Sequence, residues 1–212
     1  MDVLDSSSVY PRTICFRNSE NEPKELEIYQ EILTDVGGVI WDSALLTIHY
    51  FFKHPDLYSG KKVLELGSGT GVCSLVLAAL GAEVTATDLP ERMPLLEKNI
   101  EKNKSLVENQ IKAEPLDWTK NEAPNDLDLI LAVDCIYYTS SIDALIEFFR
   151  KSCAKEILIV SEKRDIGEPF KAQTMFFEKI KQFFNIVAIP EEELDEDYFA
   201  EDIVIAKLVK KS

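Results

Sequence analysis

Short apolar runs alternate with segments of helical length along the chain from residue 61 onward. The runs KKVLEL, AEVTATD, NQIKAEPL, DLDLILAVD and KEILIVSE predict strands, and VCSLVLAALG, PERMPLLEKNIEKNK, SSIDALIEFFRKSC and PFKAQTMFFEKIKQFF predict helices. Repeated strand–helix units favour a parallel sheet with helices on both faces. The last runs, NIVAIP and EDIVIAKLVKK, have no helix between them. The pattern therefore predicts an α/β fold with a doubly wound, mostly parallel seven-stranded sheet that ends in an antiparallel C-terminal hairpin.

Residues 1–60 precede this pattern and are predicted to form an N-terminal extension of the core at residues 61–212. Within the extension, ELEIYQEI alternates like a strand and SALLTIHYFFKH has the periodicity of a helix. The chain contains no internal repeat or low-complexity tract, and 212 residues suit one domain. We therefore predict a single domain over residues 1–212.

Composition bears on where the protein works. The chain is 46% hydrophobic and 29% charged, as in ordinary globular domains. It has no apolar run long enough to span a bilayer, and its acidic start MDVLDSSSVY lacks the basic and apolar regions of a secretory signal. The four cysteines form no CxxC pair, which favours reduced thiols. We expect a cytoplasmic protein, with nuclear presence also open, and no membrane association.

The formal net charge of −15 bears on the partner. Such a field repels phosphate backbones, so we expect no nucleic acid partner. It attracts basic protein segments, such as one that bears a lysine, although acidic surfaces also simply keep proteins soluble. His49 and His54 have no metal-spaced cluster of ligands around them, so no metal site is predicted. We expect a monomer.

A glycine-rich turn follows the first strand of the core in the stretch VLELGSGTG. Gly67, Gly69 and Gly71 lack Cβ atoms, so the chain can turn tightly and a ligand can approach the backbone. The next helix presents unpaired N–H groups at its start. Asp88 ends the following strand, 21 residues after Gly67, where a carboxylate binds ribose hydroxyls and repels a 2′-phosphate. The third glycine comes one residue too early for the dinucleotide fingerprint, so we predict a nucleoside ligand without a pyrophosphate.

The stretches ELGSGTG, TD and PLDW together resemble the cofactor-binding signature of class I, seven-strand S-adenosylmethionine methyltransferases, which have a Rossmann-like fold. The resemblance implies S-adenosylmethionine as the cofactor, with the glycine turn on its methionine part, Asp88 on its ribose, and Asp117 and Trp118 around its adenine. The implied cofactor-binding set is Trp41, Glu65, Gly67, Ser68, Gly69, Gly71, Asp88, Leu89, Asp117, Trp118 and Val133. The alternatives are a nucleotide dehydrogenase and a glycine turn that serves packing alone.

The stretch VDCIYY follows a nearly continuous apolar run, which places Asp134 and Tyr137 at the carboxyl end of a central strand. The Asp-x-x-Tyr arrangement resembles the protein-lysine methyltransferases of the methyltransferase 16 family. The proline pair of nucleic-acid base methyltransferases is absent. The resemblance extends from about residue 36 to the C-terminus. Their strand-end position, together with this resemblance, indicates catalytic roles for Asp134 and Tyr137. Tyr138 is expected to frame the substrate channel, and Glu162 and Arg164, which follow the fifth strand, lie at the sheet end where they can contact a substrate.

The leading function is therefore an S-adenosylmethionine-dependent protein-lysine N-methyltransferase that adds one to three methyl groups. The family resemblance implies a protein substrate: a valosin-containing-type AAA ATPase, an Hsp70-type chaperone or an elongation factor. The tail sequence DEDYFAED favours the ATPase. The alternatives are a methyltransferase acting on another protein residue or on a small molecule, and a non-catalytic cofactor-binding protein. Single residues also have alternative interpretations. Asp134 could contact only the cofactor, and Trp41, Trp118 and Tyr137 could serve packing alone. Glu162 and Arg164, after the fifth strand, could simply be solvated.

Overall fold

The computed structural model describes residues 9–31, 36–107 and 109–211. An antiparallel hairpin of β1 (Val9–Arg17) and β2 (Pro23–Glu31) comes first. A short 3₁₀ turn at Val36–Gly38 then leads into helix α1 (Asp42–Lys53). The strand and the helix predicted for the extension are confirmed as β2 and α1, whereas β1 is absent from the prediction.

A central sheet of seven strands carries the rest of the fold. Its strands are β3 (Lys62–Leu66), β4 (Glu83–Asp88), β5 (Ile111–Pro115), β6 (Leu129–Val133), β7 (Glu156–Glu162), β8 (Phe184–Ala188) and β9 (Ile203–Lys210). They are ordered β5-β4-β3-β6-β7-β9-β8. The pairs from β5 to β7 are parallel, and β9 is antiparallel to both β7 and β8. The predicted mostly parallel sheet with an antiparallel C-terminal hairpin is confirmed.

Helices cover both faces of this sheet. Besides α1 they are α2 (Val72–Ala79), α3 (Met93–Lys102), α4 (Lys104–Val107), α5 (Thr139–Lys151) and α6 (Gly167–Ile180). Leu129 and Leu131 of β6 belong to the core shared with α1, α2 and the N-terminal hairpin, whereas Ile130 and Ala132 belong to the core shared with α5 and α6. Successive side chains of a strand point to opposite faces, so the continuous apolar run of β6 reflects burial on both sides.

Two buried asparagines, Asn99 in α3 and Asn103 directly after it, fasten the N-terminal hairpin to the core. Asn99 accepts a hydrogen bond from the N–H of Tyr29 at 2.8 Å, and it donates to the carbonyls of Tyr29 at 3.0 Å and Thr70 at 2.8 Å. Asn103 makes the same pair of bonds with the backbone of Glu27, at 3.0 and 2.9 Å. Because Thr70 belongs to the glycine turn, Asn99 links the extension directly to that turn.

The strand order reverses at β3. The chain moves outward from β3 to β4 and β5, and then returns to form β6 on the other side of β3. The carboxyl ends of β3 and β6 therefore flank a crevice, which is the usual ligand position in sheets of this kind. The glycine turn leaves β3 at this edge, and the segment containing Asp134 leaves β6 beside it.

Candidate active site

The glycine turn has a left-handed backbone and lies in close contact with its surroundings. Gly69 has a φ of +53°, and a Cβ atom there would lie 2.9 Å from the carbonyl oxygen of Gly37. Gly71 has a φ of +79°, and its Cβ would lie 2.5 Å from Cδ1 of Leu96. Glycine alone adopts such angles freely and allows such approaches. The N-terminal extension therefore packs directly on the turn.

Glu65 lies beneath the glycine turn and is almost completely buried. Its Oε2 atom accepts hydrogen bonds from the N–H of Ser74, at 3.1 Å, and from the Ser74 hydroxyl. Burial raises the pKa of Glu65 to about 7, although the hydrogen bonds from Ser74 act in the opposite direction. The Glu65 carboxyl group thus ties β3 to the first turn of α2 and fixes the glycine turn between them.

Asp88 reaches the glycine turn from the end of β4. Its Oδ2 atom accepts a hydrogen bond from the N–H of Gly69, and its Oδ1 atom accepts one from the N–H of Leu89, both at 2.7 Å. Burial raises the pKa of Asp88, while the two N–H groups oppose that rise. A carboxylate oxygen can accept more than one hydrogen bond, so both oxygens retain capacity for ligand hydroxyls.

A cavity of about 480 Å³ opens at the crevice, a size that suits a small-molecule ligand. Most of the residues proposed from the sequence line it: Trp41, Glu65, Gly67, Ser68, Gly69, Asp88, Leu89, Trp118, Val133, Asp134, Tyr137, Tyr138 and Arg164. The structure therefore brings these residues, which are spread over more than a hundred positions of the chain, to one site.

Three proposed site residues lie outside this lining: Gly71, Asp117 and Glu162. Gly71 directly precedes α2 and packs on Leu96 of α3. The Asp117 carboxylate accepts hydrogen bonds from the N–H and hydroxyl of Thr119 at 3.0 and 2.6 Å, and it pairs with Lys120 at 2.7 Å. Its side chain is therefore engaged in its own turn, and the neighbouring Trp118 is the member of the PLDW motif that lines the cavity.

The polar groups of the cavity fit S-adenosylmethionine. Asp88 offers a buried carboxylate suited to ribose hydroxyls, as described above. Nε1 of Trp118 is buried and has no hydrogen-bond partner among the described residues. Because Trp118 lines the same cavity, its indole N–H is a donor that a ligand there can use. Leaving a buried donor unsatisfied costs free energy that a bound ligand or water can recover. The sulfur of Cys135 packs beneath Gly67, where a Cβ atom would lie 3.0 Å away.

Asp134 is held in place by three groups. Its φ of +51° lies in the left-handed region, which aspartate tolerates better than most residues. The hydroxyl of Ser43 donates to Oδ2 at 2.5 Å, and the N–H of Glu162 donates to Oδ1 at 3.0 Å. Nη2 of Arg164 lies 3.6 Å from Oδ2. The carboxylate of Asp134 consequently has a fixed orientation at the carboxyl end of β6.

Arg164 lies between the carboxylates of Asp134 and Glu162 and interacts with both. Nη1 of Arg164 pairs with Oε1 of Glu162 at 2.9 Å, and its guanidinium lies 5.3 Å from the ring centre of Trp41. Its backbone N–H donates to Gln173 Oε1 at 2.9 Å, and Gln173 Nε2 in turn donates to the carbonyl of Glu162 at 2.6 Å. Glu162 is thus a partner of Arg164 at the cavity edge.

Two tyrosines frame the opening beside Asp134. The rings of Tyr137 and Tyr138 lie 4.5 Å apart between centroids and are inclined by 56°. Tyr137 is half-buried, and burial raises its pKa, so its phenol is neutral at physiological pH. Tyr138 is exposed at the mouth of the cavity.

Ser43 and Gln173 are site residues that the sequence reasoning missed. Ser43 lies in the first turn of α1, where a serine is an ordinary helix-start residue, and Gln173 lies within α6. Neither belongs to a motif. Only the three-dimensional fold places them beside Asp134 and the Glu162–Arg164 pair.

No group of three or more histidine, cysteine or acidic residues within the described ranges is arranged to hold a metal ion. His49 stacks on Tyr198 with 3.5 Å between ring centroids, and Nε2 of His54 lies 3.1 Å from the carbonyl oxygen of Glu193. Among the helices that the structure describes, none is long and apolar enough to cross a membrane.

Solved structures share this architecture. Magnesium protoporphyrin IX methyltransferase from Synechocystis PCC 6803, solved with bound SAH, matches with a TM-score of 0.57 and 17% identity, covering 80% of this chain and 83% of that one. The glycopeptide N-methyltransferase MtfA, complexed with sinefungin, matches with a TM-score of 0.59 and 13% identity, covering 84% and 90%. At these identities the likeness concerns the fold alone, which is the Rossmann-like fold of S-adenosylmethionine-dependent methyltransferases.

Sequence comparisons show which family of methyltransferases the chain resembles. A family model described as lysine methyltransferase, that of the methyltransferase 16 family, matches residues 20–183. EEF1A lysine methyltransferase 3 of Xenopus tropicalis is 33% identical over 139 residues, which cover 64% of this chain and 62% of that protein. Protein-lysine methyltransferase METTL21E of Mus musculus is 32% identical over 162 residues, covering 72% and 65%. The chain belongs to the lysine methyltransferase family.

A further relative is protein-lysine N-methyltransferase EFM6 of Saccharomyces cerevisiae, which is 33% identical over 207 residues, covering 82% of this chain and 81% of that protein. The alignments with the frog and mouse relatives span somewhat less than two thirds of those proteins' own length, 62% and 65%.

Proposed function

We propose that the protein transfers methyl groups from S-adenosylmethionine to the side-chain amine of a lysine in a protein substrate. The observation that carries this proposal is the fixed carboxylate of Asp134, which lines the same cavity as the glycine turn and Asp88. A carboxylate beside the reacting methyl group suits an amine, because it attracts and orients a positively charged side chain. Membership of the lysine methyltransferase family supports the same reaction.

The residues around Asp134 have two tasks in such a reaction: they position the lysine and they control its protonation. S-adenosylmethionine supplies a methyl group that is already electrophilic, because it is attached to a positively charged sulfur. Asp134 binds the lysine and aims its nitrogen, and in-line positioning of this kind contributes much of the rate of a transfer reaction. Free lysine has a pKa of about 10.4 and reacts only when it has lost its proton.

The surroundings of Asp134 act on the lysine pKa in both directions. The Asp134 carboxylate favours the charged amine, whereas the Arg164 guanidinium and the exclusion of water by Tyr137 and Trp41 favour the neutral amine. Aromatic rings at the cavity also attract a methylated ammonium, by about 0.5–2 kcal/mol for each ring that it faces. That attraction suits an enzyme that adds more than one methyl group to one lysine.

Two substrate classes are proposed. The frog relative is an EEF1A lysine methyltransferase, which favours elongation factor 1A as the substrate. The tail sequence DEDYFAED favours a valosin-containing-type AAA ATPase, as argued from the sequence. We rank the elongation factor first. The similarity to the frog enzyme extends over 64% of this chain, whereas only one short tail segment supports the ATPase.

Mass spectrometry of both candidate substrates tests the proposal. Recombinant elongation factor 1A and recombinant AAA ATPase are each incubated with this protein and S-adenosylmethionine, and their lysines are mapped. The expected result is a mass gain of one, two or three methyl groups on a single lysine of one of them. No gain on either, with a protein shown by calorimetry to bind the cofactor, would contradict the proposed substrates. Label that appears only in small solutes would contradict protein methylation itself.

A further inference from the structure

The mouth of the cavity carries an apolar surface that the proposed chemistry does not use. Tyr138 is 53% exposed, Ile166 83% and Phe170 46%. Ile166 is the most exposed large hydrophobic side chain in the described part of the chain. Scattered exposed apolar residues are ordinary, whereas neighbouring ones at the mouth of a cavity mark a contact surface. We call these three side chains the mouth ridge.

The mouth ridge spans two connected segments, one before α5 and one at the start of α6. Oε1 of Glu168 accepts hydrogen bonds from the N–H and the hydroxyl of Thr139, at 3.0 and 2.6 Å, and these bonds join the two helix starts. Tyr138 and Pro169, one from each segment, line the same cavity. The two segments that carry the mouth ridge therefore meet at the cavity rim, where Tyr138 lines the cavity and Ile166 and Phe170 lie close in the chain to the lining residue Pro169.

The segment between β8 and β9 is strongly acidic. Residues 191–202 contain eight Asp or Glu residues and no Lys or Arg. Its first part lies along the C-terminal half of α1, where Lys53 donates to the carbonyls of Glu192 and Leu194 and His49 pairs with Asp195 at 3.7 Å. Only the end of the segment reaches the site, where the carbonyl of Asp202 accepts a hydrogen bond from the N–H of Lys163 at 2.6 Å. Burial raises the pKa of Glu162, and the nearby carboxylates of Asp134 and Asp202 add to that rise. The rim thus combines an apolar surface with negative charge.

We propose that the mouth ridge docks the substrate segment that bears the target lysine, and that this segment carries an apolar side chain beside basic residues. The assignment rests on the proposed function. The apolar side chain packs on the ridge, the basic residues face the end of the acidic segment at Asp202, and the lysine enters the cavity toward Asp134. Charge complementarity favours this occupant, because an acidic partner or a second copy of this chain, with its net charge of −15, is repelled.

Steady-state kinetics with Ile166→Ser and Phe170→Ala test the mouth ridge, with elongation factor 1A and the AAA ATPase as the protein substrates. Ile166 precedes α6 and makes no side-chain cap bond there, and serine is favoured at that position, so this variant loses apolar surface without weakening the helix. Each variant is expected to raise KM for the protein substrate about tenfold. Its kcat and its calorimetric Kd for S-adenosylmethionine stay at the wild-type values.

Val209→Ser is the matched control, because Val209 is 48% exposed and lies near the far end of β9, away from the site. A rise of KM in either ridge variant that is absent from this control supports the docking surface. A wild-type KM in both ridge variants, or an equal rise in Val209→Ser, overturns it while the proposed function stands. If the wild-type protein binds the cofactor and methylates neither substrate, the proposed substrates fail, and the docking assignment fails with them.

Discussion

The hydroxyl of Ser43 donates a hydrogen bond to Oδ2 of Asp134 at 2.5 Å, although the two residues lie 91 positions apart in the chain. Ser43 is completely buried in the first turn of α1, within the N-terminal extension, and Asp134 follows β6 of the central sheet. The extension therefore orients the carboxylate that we place at the centre of the reaction. The N-terminal extension thus both packs against the site and donates a hydrogen bond to its carboxylate.

Replacing Ser43 by alanine removes this bond while the Asp134 carboxylate remains. Hydrogen bonds to charged groups are worth about 1.5–3 kcal/mol, so Ser43→Ala is expected to lower kcat about ten- to a hundredfold. The Kd for S-adenosylmethionine, measured by calorimetry, should stay near the wild-type value. Thr47→Val is the control, because Thr47 is buried on the same helix and its hydroxyl donates to the Ser43 carbonyl and not to the Asp134 carboxylate. An equal loss of kcat in both variants would indicate a general effect of helix packing.

Removal of the Asp88 carboxylate should weaken cofactor binding. Asp88→Ala loses an acceptor for the ribose hydroxyls and the bonds to Gly69 and Leu89, so its calorimetric Kd for S-adenosylmethionine is expected to rise at least tenfold. Asp117→Ala should change that Kd much less, because the Asp117 carboxylate bonds to Thr119 and Lys120 outside the cavity lining. A larger effect at Asp117 would mean that this side chain turns toward the adenine when the cofactor binds.

A methyl group at Gly69 should disturb the glycine turn specifically. Gly69→Ala combines a left-handed backbone with a Cβ atom 2.9 Å from the Gly37 carbonyl oxygen. Gly60→Ala is the matched control, because Gly60 has a φ of +68° and open space around its missing side chain. Gly60→Ala should lower the free energy of unfolding by about 1–2 kcal/mol, the cost of the left-handed backbone, and Gly69→Ala should lower it further because its Cβ also meets the Gly37 carbonyl oxygen. Only Gly69→Ala should also raise the cofactor Kd; unchanged binding would show that the turn can shift without loss.

The buried carboxyl group of Glu65 predicts a particular pH dependence of stability. Its pKa in the folded protein, about 7, exceeds its ordinary value of 4.5, so the folded state binds more protons than the unfolded state between these pH values. The free energy of unfolding contributed by this group therefore falls as pH rises through that window, by up to about 3 kcal/mol in total. Above pH 7 the loss is complete.

Glu65→Gln, which cannot titrate, should lack this dependence. Denaturant unfolding of the cofactor-free proteins at pH 5 and pH 8 measures it, and the Gln variant should gain stability relative to wild type at the higher pH. The pKa of Asp88 is raised in both proteins, so its effect cancels in the comparison. Parallel pH profiles of the two proteins would show that Glu65 ionises as easily when folded as when unfolded.

The central strands β3, β6 and β7 were predictable because they are buried on both faces. The apolar run of β6 has every side chain in a core, and such runs stand out in any sequence. Strand β1 did not stand out, because in it only Ile14 and Phe16 are buried and Pro11 interrupts the pattern. Strand β1 forms because its backbone pairs with β2, and its own sequence pattern does not predict it.

The candidate site was predictable where it follows strand ends and motifs. The glycine turn, Asp88 and Asp134 each come directly after a recognisable strand, and parallel strands bring their carboxyl ends to one edge. The contacts of Ser43 and Gln173 depend on how helices from distant parts of the chain pack over that edge, which no local pattern encodes. The engagement of Asp117 with its own turn is likewise a matter of side-chain geometry.

The most direct test of the account compares wild type with Asp134→Asn in single-turnover methylation of the lysine identified by mass spectrometry. Asparagine has the same shape, tolerates the φ of +51° and carries no charge, so this variant removes the carboxylate with little change of structure. We predict that the rate of methyl transfer falls at least tenfold while the calorimetric Kd for S-adenosylmethionine stays near its wild-type value. A wild-type rate in Asp134→Asn would contradict the role of Asp134 and, with it, the proposed positioning of the lysine.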